Sequence, residues 1–311
     1  VILALPAEKI DIFSRTIQYD PSRTLTLRNI FARNMRKRFI KLRGLIRRAI
    51  VDEDCFGLLP RRYQTLGNRA FDFPRSGDKV VAFMQWLRQM IDDGILEIVE
   101  IRQLGTAIEQ AWTNLYVKDS YERGVIRARY ELIKAGYPVP TLEMTGGIAA
   151  SMSLPFHVDR LGLLFTRVFS DLRGITAAMD MQIGRVLAQG IADGLHPRQI
   201  ATNLTRTISG PVGDLGITDI LGRFIPAQRR AELLARTEII RSYAEASLQE
   251  YKNWGVVGVK VKAEFRTAGD DRVCPICASM EGKVFTLDEA SGKIPVHPQC
   301  RCIWLPLDVT G

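Results

Sequence analysis

Apolar residues spaced three and four apart set the pattern of most of this chain and predict helices. From Leu27 to Ile50, Phe31, Met35, Phe39, Leu42, Ile46 and Ala49 form one stripe. A second helix is expected from about Lys79 to Asp93, stopping at Gly94, with Val80, Phe83, Met84, Leu87 and Ile91 inward. A third is expected from Thr106 to Ala135 before Gly136, its inner face assigned to Ile108, Trp112, Leu115, Tyr116, Ile126, Tyr130 and Ile133. Leu161 to Ala192 reads as one long helix, or two meeting near Gly174. Gly194 ends it and Pro197 opens the next, running to about Thr207, which makes His196 a cap. Pro226 to Asn253 carries the strongest helical signal, with Leu233, Leu234, Thr237, Ile240, Tyr243, Ala244, Leu248 and Tyr251 on its buried side.

After Gly255 the period changes to two. Val257, Val259, Val261 and Ala263 alternate with Gly258, Lys260 and Lys262, the pattern of a half-buried strand, and Lys283–Leu287 and Cys302–Pro306 read as two more. The fold class that follows is mostly α with a small C-terminal α+β module of one long helix and a three-stranded antiparallel sheet. Val1 to Asp20 reads as an arm that needs a neighbour, and Pro138 to Pro155 as a connection or hinge. Leu58 to Pro74 and Pro211 to Gly222 read as loops, the latter without the Lys-Ser/Thr of a phosphate-binding loop. The expected division is 1–75 (arm and basic helix), 76–225 (helical domain) and 226–311 (α+β module). His157, beside Phe156, is expected to be a hydrogen-bonded structural residue. Val1 is not an initiator Met and reads as the first residue kept rather than the first translated.

Charge adds a second theme. The 311 residues carry a net charge of +9, which favours a polyanionic or acidic partner. The first predicted helix concentrates it: Arg28, Arg33, Arg36, Lys37, Arg38, Lys41, Arg43, Arg47 and Arg48 occur with no acid among them. Such a helix can lie on phosphates, a membrane surface or an acidic partner, and because nine like charges on one helix repel, a polyanionic or acidic-protein contact is favoured over a merely solvated face. No apolar run reaches the roughly eighteen residues needed to cross a bilayer, so no membrane partner is expected.

The candidate chemistry lies near the C-terminus. Of five cysteines, four fall in Cys274-Pro-Ile-Cys277 and His297-Pro-Gln-Cys300-Arg-Cys302, two knuckles separated by nineteen residues. That layout suits a structural zinc ion. Five donors compete for four places. The preferred set is Cys274, Cys277, His297 and Cys300, with Cys302 able to displace His297. Reduced core thiols, disulfides and a redox pair are the alternatives, and a catalytic zinc lacks the His-x-Glu of the zinc deaminases. Cys55 stands apart and reads as a packed thiol.

Arg236-Thr237-Glu238 on a helix, Cys274-Pro-x-Cys277, Gly282-x-Val284-Phe285 and Pro295-x-His297-Pro298-x-Cys300-Arg301-Cys302 together resemble the phage head morphogenesis family of Mu protein F-like and SPP1 protein 7-like minor head proteins. The resemblance is dense from Ala231 to Pro306 and extends, in helix pattern only, to about Leu161. It implies a non-enzymatic minor head protein of a tailed phage or prophage particle, inside the capsid near the portal and in the host cytoplasm during assembly. Its implied roles are head assembly and DNA packaging or ejection. The implied partners are portal, capsid or scaffold proteins and phage DNA, with multiple copies per particle. The competing readings are a zinc-stabilised DNA-binding protein and the carrier module of an ADP-ribosyltransferase-type toxin. Arg236 and Glu238 lie on one continuous helix and make no nicotinamide pocket, so they and Arg301 are read as structural polar residues, with an Arg301–Glu238 pair expected.

Overall fold

The computed structural model describes residues 20–59, 69–103, 106–210, 225–256 and 258–308. The expected arm therefore lies outside the described residues, except for Asp20, as do most of the loops at 58–74 and 211–222. The chain forms two compact units, each assembled from separated segments: Val1–Phe31, Thr113–Val168 and Ala235–Gly311 in one, Ala32–Trp112 and Phe169–Leu234 in the other. The division expected from the sequence is consecutive, whereas these units interleave.

The second unit is built on α1 (Leu25–Arg47), which runs into a π-helical turn at Arg48–Asp52. The predicted stripe is the buried one: Met35, Phe39, Leu42 and Ile46 are each at most 2 % exposed. α2 (Ser76–Gly94) contributes Phe83, Leu87 and Ile91, and Phe56, Phe71, Phe83 and Trp86 pack ring against ring. α5 (Pro155–Ala192) is one continuous helix. Gly174 does not break it, because Leu172, Ile175, Met179, Ile183 and Leu187 keep the buried stripe in phase across that position. α6 (Pro197–Ser209) begins as expected, with Pro197 in its first turn and His196 as cap, the His196 ring accepting from the Arg198 N–H.

The segment expected to open the third helix departs from that expectation. Thr106–Ala111 is a strand, β2, paired antiparallel with β1 (Ile98–Gln103), and α3 starts only at Asn114 and ends at Lys134. Thr106 and Ile108 in this segment, and Ile98, Val99 and Ile101 in the strand it pairs with, are β-favouring residues, which suits the pleated hairpin over an added helical turn. Counting from Ile108 also set the helical phase wrongly. Leu115, Ile126, Tyr130 and Ile133 are 38–48 % exposed, whereas Val117, Tyr121, Val125, Ala128 and Leu132 are buried. Trp112 is in the core as assigned, its indole N–H donating to the Ile95 carbonyl at 2.9 Å.

In the first unit α3 packs on α7 (Ala227–Val256) and on the sheet. The close approach of the two helices rests on small residues: a Cβ on Gly124 would sit 2.5 Å from the Tyr243 carbonyl oxygen, and the Ser120 hydroxyl donates to the Ile239 carbonyl. His157, fully buried, meets the expectation of a bonded structural residue. Its Nδ1 lies 2.9 Å from the Tyr121 hydroxyl and its Nε2 3.2 Å from Glu250, which also accepts from Arg129 and Trp254. The expected connection at 138–155 contains a 3-10 turn at Glu143–Thr145 and a short helix, α4 (Gly147–Met152).

The sheet is three-stranded and antiparallel, as expected, in the order β4-β3-β5, with β3 at Val261–Arg266, β4 at Val284–Phe285 and β5 at Ile303–Asp308. β3 begins later than the alternation suggested, because Gly258 takes a positive φ and the Val259 N–H returns to the Trp254 carbonyl, closing the end of α7. From Val261 the alternation holds, with Val261, Ala263 and Phe265 buried.

Candidate metal centre

Both cysteine knuckles grow out of this sheet. After β3 the chain turns through Asp270, and Cys274 caps a single helical turn, α8 (Pro275–Ala278), its sulfur accepting from the Cys277 N–H at 3.4 Å. Pro275 suits that start because a first-turn residue needs no N–H partner. The chain then makes β4 and a second single turn, α9 (Leu287–Ala290), closed by the capping box of Thr286 and Glu289. A bend in which the Cys300 N–H donates to the His297 carbonyl delivers Cys300 and Cys302 to the head of β5. Gln299 holds a positive φ there, and its N–H donates to the Thr237 hydroxyl of α7 at 3.4 Å.

All five expected donors are brought together. His297 Nε2 lies 3.2 Å from both the Cys274 and Cys277 sulfurs, and Cys277 Sγ lies 4.0 Å from Cys300 Sγ. They form two triads, Cys274–Cys277–His297 and Cys277–Cys300–Cys302, with Cys277 in both. The set fits a zinc ion: a tetrahedral site places neighbouring sulfurs about 3.8 Å apart, close to the observed Cys277–Cys300 separation. His297 is oriented for ligation, since its Nδ1 lies 2.8 Å from the Pro298 carbonyl, so that an Nδ1–H tautomer turns the Nε2 lone pair toward the sulfurs.

The surroundings are those of a core. Cys277, Cys300 and Cys302 are at most 3 % exposed and belong to one apolar cluster with Leu248, Tyr251, Phe265, Ile294 and Trp304. Burial pushes the Cys277 thiol up to about 12, while a hydrogen bond from Cys302 draws Cys300 down to about 5. Cys55 lies apart, 1 % exposed, with burial raising its thiol to about 12, as expected of a packed thiol.

Arg301, between two donors, was expected at Glu238, and the ion pair described for it is with Asp270. It grips Asp270 with both ends of its guanidinium, at 2.6 Å each, and Glu238 is held instead by Arg241 at 3.1 Å and Arg167 at 3.6 Å. The turn after β3 brings Asp270 to the arginine, a contact between loops that helical spacing cannot announce. Of the group on α7, Thr237 makes the hydrogen bond to the knuckle, and the Arg236 Nε is buried without a hydrogen-bond partner among the described residues.

The basic helix divides its nine cations. Arg28 is buried against Asp20, Arg38 pairs with Glu97 and stacks over Trp112, Arg43 donates to Ser209, and Arg48 pairs with Glu53. Arg33, Arg36, Lys37, Lys41 and Arg47 stand exposed without an ion pair among the described residues. No described helix is long and apolar enough to cross a membrane.

Residues 181–305 match a family model described as Phage Mu protein F like protein, which bears out the resemblance to phage head morphogenesis proteins over that segment. No curated protein and no solved structure matches the chain.

Proposed function

With residues 181–305 matching the phage Mu protein F-like proteins, we propose that the chain is a structural minor head protein of a tailed phage or prophage particle. It lies inside the capsid near the portal, enters during assembly in the host cytoplasm, is present in several copies and acts in head assembly and DNA packaging or ejection. It is not an enzyme. The observation that carries this reading is the convergence of the two family knuckles on one five-donor cluster inside the core of the C-terminal module. Four of the donors, with Cys274, Cys277, His297 and Cys300 preferred, would hold zinc, and the ion would supply stability that a small sheet with a two-residue strand lacks. Neighbouring residues hold the donors in place, since the Pro298 carbonyl orients the imidazole and Thr237 ties the second knuckle to α7.

The exposed cations of α1 support DNA as the internal partner, by phosphate contact without base recognition. The test is co-assembly. Expressed with portal, scaffold and capsid proteins, the chain should sediment with procapsids, and Cys277→Ser should be missing from them. Procapsids that exclude the unaltered chain would overturn the reading.

A further inference from the structure

Within the Arg236-Thr237-Glu238 group of α7, Thr237 accepts from the Gln299 N–H and Glu238 from Arg241, whereas the Arg236 guanidinium makes no hydrogen bond or ion pair with any described residue. The residue is half-buried, and its Nε is closed off from water without an acceptor among the described residues. Buried donors are seldom left that way, and a charge drawn partly out of water without a counter-ion is costly.

The surroundings sharpen the imbalance. Arg28 of α1 lies near enough to feel the charges of both Arg301 and Arg236. Burial first, and those like charges after it, lower the Arg28 pKa although Asp20 opposes them. Arg28 is 5 % exposed, and its Nε is also buried without a partner, since Asp20 accepts from Nη2. Asp20 and Asp270 are the carboxylates paired within this group, and Asp270 is shared between Arg301 and Arg272. Arg28, Arg236 and Arg301 therefore leave at least one positive charge over, and all of these residues belong to one compact unit.

We propose that Arg236, backed by Arg28, is a phosphate-binding site at the foot of the second knuckle, reached from solvent through the open end of the Arg236 guanidinium. The hydrogen bond from Gln299 to the adjacent Thr237 fixes that place. A guanidinium offers a planar fork of donors that a phosphate can take two at a time, and a chain of net charge +9 draws polyanions to its surface. The inference uses neither the metal nor the particle.

Thermal melting of the full chain tests it, in chloride and in inorganic phosphate at matched ionic strength. Phosphate should raise the melting temperature of the unaltered chain by about 3 °C and leave Arg236→Gln unmoved. In chloride the variant should melt no lower than the original, because it gives up no hydrogen bond and removes a like charge near Arg28. Arg236→Lys keeps the charge without the fork, so its response to phosphate should be less than half that of the original. A short DNA duplex separates the two sources of phosphate. If Arg236→Gln lowers the slope of log affinity against log salt by about 0.9, the phosphate belongs to a DNA backbone, and an unchanged slope assigns the site to free phosphate. No rise in the unaltered chain, or an equal rise in Arg236→Gln, would overturn the proposal. So would acetate that stabilises as strongly as phosphate, or an Arg236→Gln chain that melts lower in chloride, since the fold would then already satisfy the guanidinium.

Discussion

Arg301 and Asp270 are joined by two 2.6 Å hydrogen bonds, a fork that ties the turn after β3 to the residue between Cys300 and Cys302. The hydrogen bonds from Arg301 hold the Asp270 carboxyl well below the usual carboxylate range. Lysine keeps the charge and loses the fork, so Arg301→Lys should not substitute for arginine. The expected loss is up to about 1 kcal/mol in urea unfolding. A variant as stable as the original would show that the pair positions nothing.

Gly124 makes a sharper case. Alanine in the middle of a helix normally adds about 1 kcal/mol of stability over glycine. Here its methyl would press on the Tyr243 carbonyl at 2.5 Å and on the Ala246 Cβ at 2.6 Å, backbone and short side chain that cannot swing away. Gly124→Ala is therefore expected to destabilise by about 1–3 kcal/mol, read as a lowered melting temperature. A rise would mean that α3 and α7 have room to part.

These contacts show what the sequence could and could not announce. The stripe of α1, the cap at His196, the three strands of the small sheet and the five donors were legible, because each depends on spacing within one element or on rare residue types. The phase of α3 was not. Its buried face includes Ser120, Gly124 and Ala128, small residues that a count of large apolar side chains passes over, while Ile126 and Tyr130 drew the count outward. The partners of Arg301 and Glu238 were hidden for a related reason: loop turns and the neighbouring helix supply them, at sequence separations that carry no period.

Metal removal discriminates among the donors. Cys277 belongs to both triads, so Cys277→Ser should abolish zinc retention, measured as metal per chain after gel filtration. Cys302→Ser should retain about one equivalent if the preferred four donors hold the ion. Loss of metal in Cys302→Ser with retention in His297→Ala would transfer the fourth place to Cys302. A chelator should melt the C-terminal module ahead of the rest.

Glu250 sets an acid limit. Burial raises its carboxyl pKa, but hydrogen bonds from His157, Trp254 and Arg129 and the Arg129 charge outweigh it, and the net shift is downward. A carboxyl depressed on folding contributes stability that is complete above its unfolded value of about 4.3 and is lost as pH falls through the lower folded value. Comparing Glu250→Gln with the unaltered chain from pH 6 to pH 3, the stability difference should be largest at pH 6 and shrink below pH 4. A difference independent of pH would mean that the carboxylate charge is not what the network uses.

The exposed face of α1 gives the last prediction. Arg33, Lys37 and Lys41 recur one turn apart, and Arg36 and Arg47 flank them, with Gly44 leaving open space on the same face. Cations held in structural pairs, such as Arg28 and Arg38, are already committed to carboxylates, so they should contribute little to binding a polyanion. If α1 lies on DNA, replacing Arg33, Lys37 and Lys41 by glutamine should lower the slope of log affinity against log salt by about 0.9 for each phosphate no longer neutralised. The weakening should be alike on unrelated sequences, because phosphate contacts position without specifying. Arg38→Gln should instead lower stability and leave the slope unchanged. Should the triple variant keep the full salt dependence, DNA binds elsewhere on the chain, and the acidic-protein reading of this face becomes the one to pursue.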